Sequence, residues 1–180
     1  MKLFLTITTL LLTALPAIEA TTPIAPTLSY IGTANITLSP PIPIGPGPRG
    51  NRNFFPITDG SFTGPLFTAS IPHYGGDWSL GDPIAGTFYV DARYQLLTDD
   101  GANIYVEANG PQQPEEGVVH TRVKFETGDA RYYWVNNFVG VGIVTPGEGN
   151  EYIVVEMWAV STQGETHGKR KGKGKGKGRK

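Results

Sequence analysis

TFYVDARYQLLTDDGANIYV, residues 87–106, is the stretch whose reading decides the fold. Strand alternation puts Phe88, Val90, Ala92, Tyr94 and Leu96 on one face, and Thr87, Tyr89, Asp91, Arg93 and Gln95 on the other. Asp100-Gly101 predicts a hairpin turn, because glycine takes a positive φ without steric cost. The polar face carries a phenol, a carboxylate, a guanidinium and an amide. It is either a solvated outer wall or the lining of a pocket, and the alternation alone leaves both open.

Outward from this hairpin the chain keeps the same character. Apolar residues do not recur at three and four, and 24 Gly and 15 Pro leave little room for long helices. Strand candidates fall instead at 28–38, 52–57, 66–73, 84–97, 102–108, 118–126, 131–144 and 151–160, separated by turn clusters such as Gly75-Gly76-Asp77 and Asp99-Asp100-Gly101. About eight short strands predict an all-β domain, a single small antiparallel barrel or a sandwich. A barrel leaves no sheet edge open, which suits a chain with no cysteine and hence no disulfide. The irregular segment 39–56 carries Phe54 and Phe55 and is expected to pack against the barrel mouth.

The two ends read differently from the middle. Residues 1–20 have the pattern of a cleaved secretory signal: Lys2, an apolar run from Leu3 to Leu15, and a small residue at Ala20. The run is too short to span a membrane, which takes roughly 20 residues. Residues 165–180 form a Lys/Gly-rich tail in which 169–180 hold eight of the 15 Lys and Arg, leaving seven against 16 Asp and Glu before residue 169. Alternating Gly and Lys buries nothing, so the tail is expected to be disordered, with polyanion contact as its function or solubility as its whole role. The barrel domain then covers 21–164, entry to the secretory pathway and secretion are expected, and Asn35-Ile36-Thr37 is a glycosylation sequon that puts Asn35 in solvent if used.

The chemistry must come from few groups. His73, His120 and His167 stand in unrelated segments, so no metal site is expected. No nucleophile elbow, phosphate loop or dinucleotide fingerprint occurs, and any catalysis is expected to need no cofactor. The candidate catalytic residues are Asp91, Arg93, Asp77 and Tyr89; the candidate ligand contacts are Trp78, Trp134, Asn136 and Glu126. Each has a plainer reading: Asp77 as a turn cap, the tryptophans as core, and Asp91–Arg93 as an exterior pair. Tyr94 falls on the face opposite Asp91 and Arg93, so Tyr89 is the better partner for that pair. Asp91 and Arg93 lie about 7 Å apart along the strand, and an ion pair between them suits Asp91 to base rather than acid work.

The blocks PITDGSFTGPLF, GGDW, DARYQLLTDDGANIYVEANG and FETGDARYYWVNNFVGVG, in this order, resemble the domain of unknown function 3237 family, also called uncharacterised protein family 0311. The resemblance spans residues 28–160. It implies a small antiparallel barrel shaped like the lipocalins and allene oxide cyclase, enclosing a ligand cavity. It also implies a cofactor-free cyclase or isomerase of a natural-product pathway, closing an oxygen heterocycle onto an alkene. The alternative is a secreted lipocalin-like protein that binds a small hydrophobic or phenolic molecule without chemistry.

Overall fold

A computed structural model of the chain describes residues 23–162. Eleven strands run in chain order: β1 (Thr27–Leu38), β2 (Ile42–Gly47), β3 (Gly50–Thr63), β4 (Thr68–Ser70), β5 (Gly75–Asp77), β6 (Leu80–Asp82), β7 (Thr87–Thr98), β8 (Asn103–Pro111), β9 (Val119–Glu126), β10 (Gly140–Pro146) and β11 (Ile153–Ser161). The expected secretory signal and basic tail lie outside the described residues.

All pairings are antiparallel. The wall runs β1, β11, β10, β9, β8, β7, then through β4, β5 and β6 to β3, and β3 pairs back with β1 from Thr33↔Thr63 to Leu38↔Ile57. The three short pieces occupy one wall position, each bonded to β3 and β7. The result is a closed antiparallel barrel with eight wall positions. β2 lies outside the ring and pairs only with β3.

Alternation dictates what fills it. On β9, Val119, Thr121, Val123 and Phe125 are buried while His120, Arg122, Lys124 and Glu126 are exposed. On β7 the inward set is Val90, Tyr94, Leu96 and Thr98, with Ala92 half-buried among them. A small closed barrel has room inside only for side chains or one small ligand, so its inward residues must be mostly apolar. The hairpin turn forms as the sequence predicts. Gly101 takes φ +87°, and the Thr98 hydroxyl accepts the Ala102 N–H at 2.8 Å.

The two ends of the barrel differ. One is closed by an aromatic stack in which Phe67 lies on Phe62 at 4.8 Å and meets Trp134 at 6.2 Å, with Trp134 in turn 5.3 Å from Phe138. Two of these rings belong to the connection from β9 to β10, and here the structure corrects the expected strand at 131–144. Tyr133–Asn137 is a short 3₁₀ turn, and the strand starts only at Gly140. The turn places Trp134 and Phe138, four residues apart, together over the end of the barrel. The expected irregular segment 39–56 is corrected too, since it forms β2 and the start of β3.

The segmented wall depends on glycine. A Cβ built on Gly75 would stand 2.5 Å from the Arg93 carbonyl oxygen and 2.7 Å from Tyr94 Cβ, so β5 approaches β7 only without a side chain there. Gly128, by contrast, has open space around its Cβ position. Gly75→Ala is therefore expected to cost about 1–3 kcal/mol in denaturant unfolding, whereas Gly128→Ala stays within about 0.5 kcal/mol. Equal effects of the two changes would contradict the close approach of β5 to β7.

Candidate active site

The open end of the barrel leads into a cavity of about 440 Å³, walled largely by apolar side chains that include Leu38, Phe55, Phe88, Val144 and Ile153. Phe88 and Val90 face the lumen, as alternation requires, and still leave this space. Among the apolar walls stand a few polar groups, of which Asp77 on β5 and Ser79 just beyond it are central.

Asp77 sits where the wall is broken. Its strand ends at residue 77 and β6 begins at 80, so the ladder to β7 is interrupted. The Asp77 carboxylate fills part of the gap: Oδ1 accepts the Asp91 backbone N–H at 2.7 Å, and Oδ2 accepts the Ser79 hydroxyl at 2.5 Å. The next residue resumes the ladder, with the Trp78 N–H donating to the Asp91 carbonyl at 3.1 Å. The Arg52 guanidinium donates to the Trp78 carbonyl at 2.5 Å, close enough for its charge to act on Asp77.

These surroundings pull the acidity of Asp77 in opposite directions. Burial raises its pKa and is the largest effect; the Ser79 and Asp91 N–H hydrogen bonds lower it; the Asp91 charge raises it; Arg52 lowers it. Burial wins, and the pKa lies above the ordinary aspartate value. A carboxyl that holds its proton more tightly in an apolar cavity can act as an acid.

The other expected site residues are placed as follows. Asp91 and Arg93 form an ion pair at 3.0 Å on the outer wall, with side chains 30% and 42% exposed, and Arg93 also approaches Glu107 at 3.9 Å. Tyr89 joins them outside, donating to Asn109 Oδ1 at 3.1 Å. The expected set Asp91, Arg93, Asp77 and Tyr89 thus divides, with Asp77 alone facing the cavity. The residue that shares the lumen with Asp77 is Tyr94.

The expected ligand contacts also scatter. Trp78 is half-buried against Phe54, ring centroids 4.8 Å apart, and does not line the cavity. Trp134 covers the closed end and donates its indole N–H to the Arg131 carbonyl at 3.1 Å. Asn136 clamps the chain after β9, accepting the Thr127 N–H at 2.8 Å and donating to the Thr127 carbonyl at 2.9 Å. Glu126 is exposed and paired with Lys124 at 3.2 Å. Glu126 and Asn136 do meet, in an open groove of about 610 Å³ on the outside of the barrel. Asn35 points outward from β1 and is exposed. His73 lies in the link from β4 to β5 and His120 on the outer face of β9. Among the described residues no three His, Asp or Glu gather as a metal site.

The model of the protein family of unknown function DUF3237 matches residues 26–160. The chain belongs to this family. A relative from Penicillium herquei, named hydroalkoxylation enzyme phnH, is 29% identical over 138 residues, covering 77% of this chain and 86% of the relative. Among solved structures, a β-barrel-like protein from Acinetobacter baumannii superposes with TM-score 0.70 at 26% identity, covering 78% of this chain and 99% of that one. A structure described as an enzyme from Penicillium herquei gives TM-score 0.63 at 28% identity, with 79% and 99% covered.

The outer placement of Asp91 and Arg93 has a measurable consequence. In a double-mutant cycle with Asp91→Asn and Arg93→Gln, the coupling energy is expected to stay below about 1 kcal/mol and to shrink further in salt. A coupling of several kcal/mol would show that the pair is desolvated.

Proposed function

We propose that this chain is a cofactor-free cyclase or isomerase of natural-product chemistry, which adds a phenol or alcohol oxygen across an alkene to close an oxygen heterocycle in the barrel mouth. The observation that carries the reading is Asp77, a carboxyl with a raised pKa on the wall of an apolar cavity. The similarity to a Penicillium protein named a hydroalkoxylation enzyme supports the reaction class. Passage through the secretory pathway and polyanion contact through the basic tail belong to the same proposal, and rest on residues 1–20 and 169–180 of the sequence.

The reaction is an isomerisation. Protonated Asp77 gives its proton to one alkene carbon, and the cation develops on the other. The substrate oxygen bonds to that carbon, and its proton passes to the Asp77 carboxylate. One C–H and one C–O bond form, one π bond and one O–H bond break, and Asp77 ends in the state in which it began. The Ser79 hydroxyl and the Asp91 N–H steady the carboxylate once its proton has gone. Phe55 and Phe88 line the cavity, where aromatic rings shelter the cation from water.

An apolar cavity also suits a carrier, and one experiment separates the readings. The purified protein is incubated with 2-(3-methylbut-2-enyl)phenol, and a cyclic ether of unchanged mass is sought by chromatography. Asp77→Asn, nearly isosteric, is expected to slow its formation by about 10²–10⁴-fold. Turnover by this variant at the wild-type rate contradicts the assignment. Recovery of bound but unmodified phenol from the wild-type protein favours the lipocalin-like carrier.

The raised pKa sets the pH dependence. The acid form of Asp77 is lost as pH rises through its folded-state value, so the rate is expected to fall over that range. Stability moves the same way. Between the unfolded and the higher folded pKa the native state holds more protons, so rising pH destabilises it. Melting curves at several pH values should show this fall in the wild-type protein and a flatter response in Asp77→Asn.

A further inference from the structure

Below the mouth the lumen narrows to an inner chamber of about 40 Å³, lined by Asp77, Tyr94 and apolar side chains such as Ile36, Ile57 and Val155. Tyr94 is only 2% exposed. Its hydroxyl is buried without a hydrogen-bond partner, the one such side-chain atom among the described residues. Packing alone gives no reason for it, because phenylalanine would fill the same space without stranding a polar group. Burial pushes the Tyr94 pKa well up, so the group stays a neutral O–H donor. Beside it in the wall, Gly75 has no side chain, which lets β5 come close to the Tyr94 Cα and Cβ.

We propose that the inner chamber is a subsite for a hydrogen-bond-accepting oxygen of the bound molecule, held by the Tyr94 hydroxyl. The ligands of the mouth are then apolar molecules carrying a ketone, quinone, ether or hydroxyl oxygen at the end that enters first. The inference rests on the reading that the mouth cavity is the ligand site, and it holds for a carrier as for an enzyme. The size of the chamber agrees. Holding one water takes about 10–15 Å³, so the chamber admits an oxygen with one or two neighbouring atoms but no ring. A molecule seated this way lies against Asp77 as well, since that carboxyl borders both the chamber and the wider mouth. The oxygen on Tyr94 thus fixes which atoms face the acid.

The test compares two probes of nearly equal shape, acetophenone and α-methylstyrene, which differ in having C=O or C=CH₂. Binding to the wild-type protein and to Tyr94→Phe is followed by the methyl resonances of Ala92 and Ala108, which line the chamber. Taking the ratio of the two affinities in each protein cancels the different hydration of the probes. The wild-type preference for acetophenone is expected to fall about three- to tenfold in Tyr94→Phe, with α-methylstyrene bound at least as well as before. Without ligand, Tyr94→Phe should melt no lower than the wild-type protein. Both probes binding with an unchanged ratio overturns the subsite and leaves the mouth as the ligand site. Neither probe binding to the wild-type protein overturns the mouth reading itself. A lowered melting temperature in Tyr94→Phe also overturns the subsite, since the hydroxyl would then already be satisfied within the fold.

Discussion

The hydrogen bond from the Asp91 N–H to the Asp77 carboxylate joins the architecture of this barrel to the chemistry proposed for it. Closing eight wall positions requires something between β3 and β7, and the chain supplies three short pieces instead of one strand. Where β5 stops, a backbone donor of β7 would face a gap. An unpaired buried donor is costly, and Asp77 removes that cost with its side chain. The group that completes the ladder is therefore held at the lumen wall in a fixed orientation. Its carboxyl is positioned by the needs of the wall and is available to whatever enters the mouth.

Much of the fold could be read from alternation. Residues 87–106 and 118–126 show clean period-two patterns because each strand is long, with one face in the core and one in water. The signal failed where segments were short or doubly used. β5 and β6 have three residues each, too few to show a period, and Gly75 and Gly76 have no side chains to show one. The run from Arg131 looked like a strand through its aromatic density, yet Trp134 and Phe138 are needed together over the barrel end, and a tight turn delivers them. β2 went unseen because its prolines resemble a linker; a strand paired on only one side tolerates them.

The candidate site shows a subtler limit. Alternation grouped Asp91 with Arg93 and set Tyr94 against them, and that grouping stands in the structure. What it could not supply was which face is the inside. A small closed barrel decides this, because its interior must be filled mainly by apolar side chains. The apolar face of β7 is the inner one, and of its two hydroxyls that of Thr98 is hydrogen-bonded in the turn, which leaves Tyr94 as the informative residue on it. The polar face became a ladder across the outer wall, with Arg93 between Asp91 and Glu107 and Tyr89 bonded to Asn109. Asp77 stands out in the sequence through the two glycines before it, whereas its partner Ser79 carries no sequence signal.

The aromatic stack across one end makes the barrel a blind vessel. A molecule that enters by the mouth must leave by the mouth, and nothing can pass through. For the ring closure proposed above, reactant and product then compete for one doorway at equal mass, and differ by the O–H that is lost and by shape. A chain that must turn back on itself to react becomes more compact once closed, and loses reach into the narrow inner end. In such a vessel the geometry of the floor governs the exit of the product as much as the entry of the substrate.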